Sequence, residues 1–274
     1  MSDWSLLGDG QRFEPLNVQL ATSDYSGTTP HASNNTKGAW VQAIAATPFA
    51  GSGLMLTPGR SGVGDLLTDI AVGAPGAEQI IINNLLFSTP LTTMFRQLYS
   101  FILPLRIPAG SRLAMRSQAS TAASTASLAI QLLVGGFLFP MPLSYVDTYG
   151  ANTADSGGQM VDPGSTVNTK GAWVELSASC NRMRMMLIAT GSRLNTTMGS
   201  AVWLMDIGVG AAGSEVVVIP NLMLASITGS GIYPKYIGPL PMHIPVGTRV
   251  AVRAQCDIND ASDRLFDAVI YGMR

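Results

Sequence analysis

The six residues NTKGAW occupy Asn35–Trp40 and recur unchanged at Asn168–Trp173, so the second copy follows the first by 168 minus 35, or 133, positions. Another pair of similar stretches lies further along the chain. DIAVGAPGAE begins at Asp69 and DIGVGAAGSE begins at Asp206, and here the separation is 206 minus 69, or 137. Matched stretches in the same order, with one change of spacing, indicate a segment duplicated in tandem, with a period too long for a solenoid.

The separation of 137 continues toward the end of the chain. IPAGSRLAMRSQ begins at Ile107 and IPVGTRVAVRAQ begins at Ile244, which again differ by 137. The same separation places Ala129, in the last apolar stretch of the first copy, opposite Phe266. The duplication predicts three segments: an N-terminal arm over residues 1–13, a first β-sandwich repeat over 14–138 and a second over 139–274.

Side chains alternate in the matched stretches, which predicts β-strands. In RLAMRSQ, at 112–118, the two arginines fall on one face while Leu113 and Met115 fall on the other. One helical turn is predicted, at 91–101, and Pro220 predicts a sheet edge or a strand end. Glycine, proline, asparagine and serine interrupt the chain at short intervals. The predicted fold class is all-β, with two tandem jelly-roll-like β-sandwich domains from an internal duplication.

The composition disfavours several classes of function. Charged residues make up 12% of the chain and the net charge is -1, with no basic block, so a nucleic-acid groove is not predicted. The first residues lack the apolar stretch of a signal peptide. The apolar stretch 127–146 contains Gln131, two glycines and two prolines, so we do not predict a membrane span. Cys180 and Cys256 are predicted to be buried, reduced thiols.

Residue types that commonly catalyse reactions or bind metals are sparse. The two histidines, His31 and His243, occupy unmatched positions and neither accompanies a nucleophile motif. GRSGVG, at 59–64, lacks the ending of a phosphate-binding loop. DINDASDRLFD, at 257–267, starts like a calcium loop but has Ser262 where that loop needs glycine. We therefore predict no enzyme, no cofactor, and no catalytic, cofactor-binding or metal-binding residue.

Several charged and aromatic residues recur in both copies. These are the acids Asp69, Asp206, Glu78 and Glu215, and the arginines Arg112, Arg116, Arg249 and Arg253. Charges kept in both halves of a weakly charged chain predict structural ion pairs, with ligand contact and paired-carboxylate catalysis as alternatives. Trp40 and Trp173 are predicted to anchor the cores, and exposed platforms for stacking a ligand are the alternative.

The combined pattern DIxVGxxGxE…NL…IPxGxRxAxRxQ, which covers most of both halves, resembles phage and prophage virion proteins called structural or tail-fibre-like. The resemblance implies a non-enzymatic structural component on the exterior of a tailed bacteriophage, assembled in the host cytoplasm. Its implied partners are other virion proteins and further copies of the chain. The absence of a collagen-like or heptad stalk favours a compact subunit of a tail, baseplate, neck or head surface.

A carbohydrate-binding adhesin that attaches to host-surface glycans is the alternative. Its contacts would lie in the loops that differ most between the repeats, 47–66 against 195–200 and 87–98 against 225–235. The N-terminal arm carries Trp4, Leu6 and Leu7 among polar residues. Because exposed apolar side chains favour docking, we predict that the arm is an assembly tether on a neighbouring subunit.

Overall fold

The computed structural model describes residues 11–17, 32–61, 65–87, 100–120, 125–135, 143–192, 200–227, 231–232, 235–258 and 264–274. The regular secondary structure in these ranges is β-strand. None of these residues forms a helix that is long and apolar enough to cross a membrane. Most of the helical turn predicted at 91–101 lies outside the described residues, and Phe101 begins a strand.

The first repeat contains nine described strands. They are β1 (Arg12–Pro15), β2 (Ala32–Asn34), β3 (Val41–Ile44), β4 (Gly51–Ser61), β5 (Leu66–Val72), β6 (Gln79–Phe87), β7 (Phe101–Leu103), β8 (Leu113–Ala119) and β9 (Thr125–Val134). One sheet has the order β1-β9-β4-β7. The facing sheet runs β6-β5-β8, and β2 and β3 both pair with β8.

The second repeat contains eleven described strands. They are β10 (Val146–Tyr149), β11 (Ala151–Asn152), β12 (Gly157–Val161), β13 (Val174–Ser177), β14 (Met183–Ser192), β15 (Ala201–Val209), β16 (Val216–Ile227), β17 (Gly231–Ile232), β18 (Lys235–Ile244), β19 (Val250–Cys256) and β20 (Phe266–Met273). One sheet joins β18-β14-β20, with β10 and β12 on the far side of β20. The other sheet has the order β13-β19-β15-β16-β17.

Both repeats have the strand order of a jelly roll. In the first, β1-β9-β4-β7 faces β3-β8-β5-β6, and in the second, β10-β20-β14-β18 faces β13-β19-β15-β16. Two four-stranded antiparallel sheets with these crossings are the jelly-roll arrangement. The predicted all-β fold with two tandem sandwiches is therefore confirmed.

The duplication is visible in the residue-by-residue pairing of the strands. Leu66 pairs with Ala119 between β5 and β8, and Trp203 pairs with Cys256 between β15 and β19. The remaining pairs of these two ladders also differ by 137 at both partners. The β5–β6 and β15–β16 ladders shift register at matching positions. Because a one-residue slip would turn the buried faces outward, this agreement shows that the two repeats fold alike.

The sequence alignment of the last strand was wrong by one residue. The core of the first repeat contains Leu128, Ile130 and Leu132 of β9, and the core of the second contains Phe266 and Ala268 of β20. Residues on one face of a strand are two apart, so the repeats match here at an even separation. The separation of 137 would instead put Ala129 on the core face opposite Phe266. Both stretches are apolar throughout, which hid the slip.

The core of the first repeat extends onto strands of the second repeat. Met185 and Leu187 of β14 and Tyr271 of β20 belong to the same buried cluster as the core of the first repeat. The opposite face of these strands, with Met186 and Ile188, packs in the core of the second repeat. A sheet with apolar residues on both faces is buried on both faces. The β14–β20 sheet is therefore an internal layer between the repeats.

The edge of β6 is where the second repeat docks. Val146 of β10 pairs with Ile82 of β6, which joins the sheets of the two repeats. The Leu86 N–H donates to the Tyr271 hydroxyl at 2.7 Å, and that hydroxyl donates to the Asn84 carbonyl at 3.2 Å. The Tyr236 hydroxyl donates to the Leu86 carbonyl. Main-chain groups that would otherwise be unpaired at a strand edge are thus satisfied by the second repeat.

Other expectations can be placed on this fold. Pro220 lies in β16. Among the described strands, β16 is paired on its outer side only by the short β17, at Ser226 and Ile227, which confirms the edge prediction at Pro220. Cys180 and Cys256 are buried and unbonded, as predicted. Arg12 and Phe13, assigned to the N-terminal arm, lie in β1, and residues 1–10 lie outside the described ranges. The segment bounds remain predictions.

We expect Tyr271→Phe to lower the free energy of unfolding by about 1–3 kcal/mol, since it leaves the buried Leu86 N–H without an acceptor. Urea unfolding followed by tryptophan fluorescence measures the change. The matched control is Tyr145→Phe, because Tyr145 is 44% exposed and loses only a solvated hydroxyl. Equal losses in the two variants would contradict the role given to the Tyr271 hydroxyl.

Candidate functional site

The repeated NTKGAW stretch delivers a lysine to a buried aspartate. The Lys37 Nζ donates to Asp69 Oδ1 at 2.7 Å and to the Leu67 carbonyl at 3.0 Å. In the second repeat the Lys170 Nζ donates to Asp206 Oδ1 at 2.7 Å and to the Leu204 carbonyl at 2.8 Å. An arginine and an asparagine complete each of these two groups.

The backbone of NTKGAW explains how the lysine reaches that position. Asn35 has a φ of 48° and Asn168 a φ of 57°, in the left-handed region that asparagine tolerates better than most residues. The Asn35 N–H donates to the Ala119 carbonyl and the Gly38 N–H to the Ser117 carbonyl, both at 2.8 Å. These bonds hold the stretch against the end of β8. The same bonds recur at Asn168 and Gly171 in the second repeat.

Each aspartate accepts three hydrogen bonds from three different parts of the chain. Besides the lysine, the Arg116 Nε donates to Asp69 at 2.9 Å, and the Arg253 Nε donates to Asp206 at 3.0 Å. The third donor is the main-chain N–H of Asn84 or Asn221, at 2.9 Å in both repeats. Both asparagines have a φ of 51° and lie where the strand ladder changes register. The carboxylate therefore holds a bulge in place.

A second repeated ion pair closes the turn after the DI motif. The Arg112 Nη1 donates to Glu78 at 3.1 Å, and the Arg249 Nη1 donates to Glu215 at 2.8 Å. The Arg112 Nη1 also donates to the Gly73 carbonyl at 3.0 Å. The acids and arginines therefore form structural ion pairs, as predicted. The arginine N–H groups occupy lone pairs of the carboxylate oxygens.

Burial and hydrogen bonding act in opposite directions on these groups. Desolvation alone would raise the pKa of Asp206, but the hydrogen bonds from Lys170, the Asn221 N–H and Arg253 hold that pKa below its ordinary value of 3.8. Desolvation lowers the pKa of Lys37, although Asp69 opposes that change. A carboxylate whose pKa is lowered, as that of Asp206 is, stabilises the fold at neutral pH, where it is ionised.

Trp40 and Trp173 are not core anchors, which corrects the prediction. Both are half-buried, and the guanidinium carbon of Arg116 or Arg253 lies 4.5 Å from the ring centroid. The benzo edge of Trp173 also lies so close to Gly208 that a Cβ there would approach it to 2.6 Å. Alternation along the strand places each tryptophan on the outer face. An arginine thus occupies one face of each ring.

The other candidate residues do not converge on one site. His31 lies outside the described residues, as do 62–64 of GRSGVG and 259–263 of the acidic stretch. Asp257 accepts the Val202 N–H of β15 at 2.8 Å, whereas Asp267 accepts the Gly158 N–H of β12 at 3.1 Å. No group of histidine, cysteine or acidic side chains in the described part of the chain could hold a metal ion.

His243 lies in an open, positively charged groove. The groove has a volume of about 650 Å³ and is lined by Arg182, Arg184, Pro241, Met242 and His243. The arginines lie at the start of β14 and the other three residues near the end of β18, on neighbouring strands. The groove was not predicted, because the arginines precede an apolar strand and have no counterpart in the first repeat. Its chemistry suits an anionic group.

Comparisons with known proteins find weak structural matches at low identity. No family model matches the chain, and no curated protein matches it. The solved structure of PNGF-II is 10% identical with a TM-score of 0.35, over 96% of this chain and 65% of that one. The tandem CBM22-1–CBM22-2 domain of Paenibacillus barcinonensis Xyn10C is 10% identical with a TM-score of 0.27, over 96% and 91%. Similarity at this level carries no inference about function.

We expect Asp206→Asn to lower the free energy of unfolding by about 2 kcal/mol at pH 7, because it leaves the largely buried Lys170 ammonium without its carboxylate. The folded-state pKa of Asp206 is depressed, so its contribution is complete above about pH 5. It is lost as the pH falls below 3.8 toward the folded-state value. The difference between wild type and variant should therefore shrink between pH 5 and pH 3 in urea titrations.

Glu175→Gln is the matched control, because Glu175 pairs with Arg249 on the same face but its side chain is 48% exposed. Removing an exposed ion pair costs about 0–1 kcal/mol. A loss for Asp206→Asn that stays constant from pH 7 to pH 3 would contradict the assignment of that loss to the ionised carboxylate.

Proposed function

We propose that the chain is a structural subunit of a tailed-bacteriophage particle, which acts through protein–protein contacts on the virion exterior. One observation carries this proposal: in the described residues, most of the outer edge of the long strand β16 has no partner strand, and several of its apolar side chains are exposed. In β16, Val216 is 64% exposed, Met223 is 62% exposed and Val217 is 38% exposed. Soluble proteins rarely leave contiguous apolar surface or a long flat strand edge open unless another surface covers it.

The polar features of the fold support the same proposal. In the described residues, the charged groups that recur in both repeats bind one another, and each repeated tryptophan lies under an arginine. These groups therefore stabilise the sandwiches and leave few side chains free for chemistry on a substrate. A stable scaffold with an uncovered apolar edge suits a subunit that assembles with neighbours.

The virion assignment rests on the resemblance of the DIxVGxxGxE and IPxGxRxAxRxQ stretches to phage structural proteins. Both stretches serve the jelly roll itself. Gly73 has a φ of 117° and Gly110 a φ of 76°, so the glycines allow the two turns, and Arg112 links them. Tail, baseplate, neck and head surface are all compatible with such a subunit, and assembly would take place in the host cytoplasm.

Attachment to a host-surface glycan is the second candidate function, and the groove at Arg182, Arg184 and His243 favours it. Two guanidinium groups next to an imidazole match the carboxylate or sulfate of an acidic sugar, since arginine binds such groups in a bidentate manner. The apolar side chains of Pro241 and Met242 would contact the sugar ring.

We expect the chain to be present in purified particles of the phage that encodes it, at a constant ratio to the other virion proteins. Quantitative mass spectrometry of gradient-purified particles measures the ratio, and antibody labelling in electron microscopy shows the location. Deletion of residues 1–10, which leaves β1 intact, should reduce incorporation if the arm is an assembly tether. Absence of the intact chain from particles would contradict the proposed function, and full incorporation of the deletion variant would contradict the tether.

A glycan array tests the second candidate. If the groove binds acidic sugars, the folded chain should bind sialylated, uronic-acid or sulfated glycans, and Arg182→Ala should weaken that binding at least tenfold. Arg12→Ala is the matched control, since it removes an arginine on a different sheet. No binding, or binding equally strong for neutral glycans and for Arg182→Ala, would exclude the groove as an acidic-glycan site.

A further inference from the structure

Strand β16 occupies in the second repeat the place that β6 occupies in the first. In the described residues, the outer side of β16 is paired only at Ser226 and Ile227, by β17, whereas β6 is covered by the second repeat. Leu86 in β6 is 1% exposed, whereas its counterpart Met223, at 86 plus 137, is 62% exposed. Ile82 is fully buried, whereas its counterpart Ile219 is only partly buried. The strands pair with their inner neighbours in the same register, so the difference lies at the outer edge.

The second repeat is what covers β6. Val146 of β10 pairs in parallel with Ile82, and the hydroxyls of Tyr271 and Tyr236 bond to the main chain at Leu86. Tyr236 also stacks on Phe101 of the first repeat, with 4.2 Å between ring centroids. The strand that makes the ladder contact, β10, is the first strand of its jelly roll. Within the chain, the first strand of one jelly roll, β10, thus already pairs with the edge strand β6 of the other.

The first strand of the other jelly roll, β1, is the counterpart of β10. It pairs with β9 as β10 pairs with β20, and the pair Phe13–Leu133 takes the place of Thr148–Tyr271. Phe13 is 40% exposed and points away from its own core. In the described residues β1 has no partner on its other edge. In the described residues, the first repeat therefore presents an unpaired edge at β1, and the second repeat presents one along most of β16.

We infer that β16 binds the β1 side of a second copy of this chain, in a head-to-tail contact that repeats the contact made inside the chain by β10 and β6. The inference rests on the proposed function, because it names the partner of the uncovered strand. The edge of β1 near Gln11 would pair with β16 near Ile219, as Val146 pairs with Ile82. Leu133 and Ile102 would lie near Met223, as Tyr271 and Tyr236 lie at Leu86, and Phe13 would lie beside them on β1, where Thr148 contacts Asn83 in the first repeat.

The two surfaces are chemically matched. Around Phe13, the outer face of the β1-β9-β4-β7 sheet presents the half-buried side chains of Met55 and Ile102, which pair across β4 and β7. These two residues stand where Ala189 and Tyr236 meet the first repeat. Apolar side chains therefore face the apolar edge of β16. The tyrosine hydroxyls have no counterpart here, so the contact depends on strand pairing and apolar burial.

The symmetry of the contact limits the assemblies that it can build. The two surfaces lie on different repeats and differ in sequence, so the contact is heterologous. Heterologous contacts generate a closed ring or an open filament, and not a two-fold dimer. Each copy adds two jelly rolls, and the internal and the intermolecular contacts alternate along the assembly.

Two single variants and their mixture test the inference on the full-length chain. Met223→Arg places a charge on the β16 surface and Phe13→Arg places one on the β1 surface. Both side chains are exposed, so neither change should prevent folding. Val246→Arg is the control, because Val246 is 71% exposed in the turn between β18 and β19. Circular dichroism and thermal melting confirm the folding of each variant, and sedimentation velocity measures mass against concentration.

We expect the wild type and Val246→Arg to form oligomers of the 28.8 kDa chain. Each single variant should sediment as a monomer at a concentration at least tenfold above that at which the wild type assembles. Mixing the two variants at high concentration should give a 1:1 heterodimer, since each supplies the surface that the other lacks. A monomeric wild type, a single variant that still assembles, or a mixture that stays monomeric would overturn the inference.

This outcome is separable from that of the proposed function. If the chain is found in virions but Met223→Arg and Phe13→Arg assemble normally, the virion role stands and the head-to-tail contact is wrong. If the variants behave as expected but particles lack the chain, the contact stands and the virion role is wrong.

Discussion

The buried carboxylates of Asp69 and Asp206 are the constraint on which the rest of each jelly roll depends. Each one joins the NTKGAW stretch before β3 or β13, its own strand β5 or β15, and an asparagine in a left-handed conformation on the next strand. A buried charge is stable only when its lone pairs are filled, so these three parts of the chain must meet at one point. That requirement explains why NTKGAW, the DI motif and the asparagine recur together.

Much of this fold could be predicted from the sequence, because duplication supplies two readings of one domain. Alternation in RLAMRSQ and its counterpart fixed both the strands and their faces, and the ladders follow the same separation of 137. The alternation also put Trp173 on the face of Glu175, which already argued for an outward ring, but the size of tryptophan suggested a core position. The role of Lys37 and Lys170 was missed, since lysine in a polar loop is usually solvated.

What the sequence did not reveal lies where the two repeats differ. Tyr271 and Tyr236 bond to the edge of β6, yet Leu133 and Ile102 stand at the corresponding positions of the first repeat. Comparison of the two copies identifies the residues that both sandwiches share. It gives no information on a residue that occurs in only one copy. The basic groove at Arg182 and His243 belongs to the same class. The tyrosine contacts exist only where the repeats meet, and the groove exists only where β14 and β18 lie side by side.

The covalent link between the repeats changes how the contact at β6 is formed. Two separate domains would meet there at a rate set by their dilution, whereas a tether holds them at an effective concentration in the millimolar range. The hydrogen bonds of the tyrosine hydroxyls therefore form between repeats that the tether already holds close together, whatever the protein concentration. A separate molecule that binds β16 would lack this effective concentration. Its binding would therefore require a high protein concentration or several simultaneous contacts. The contact at β6 therefore forms independently of protein concentration, whereas a contact between β16 and a separate molecule would depend on it.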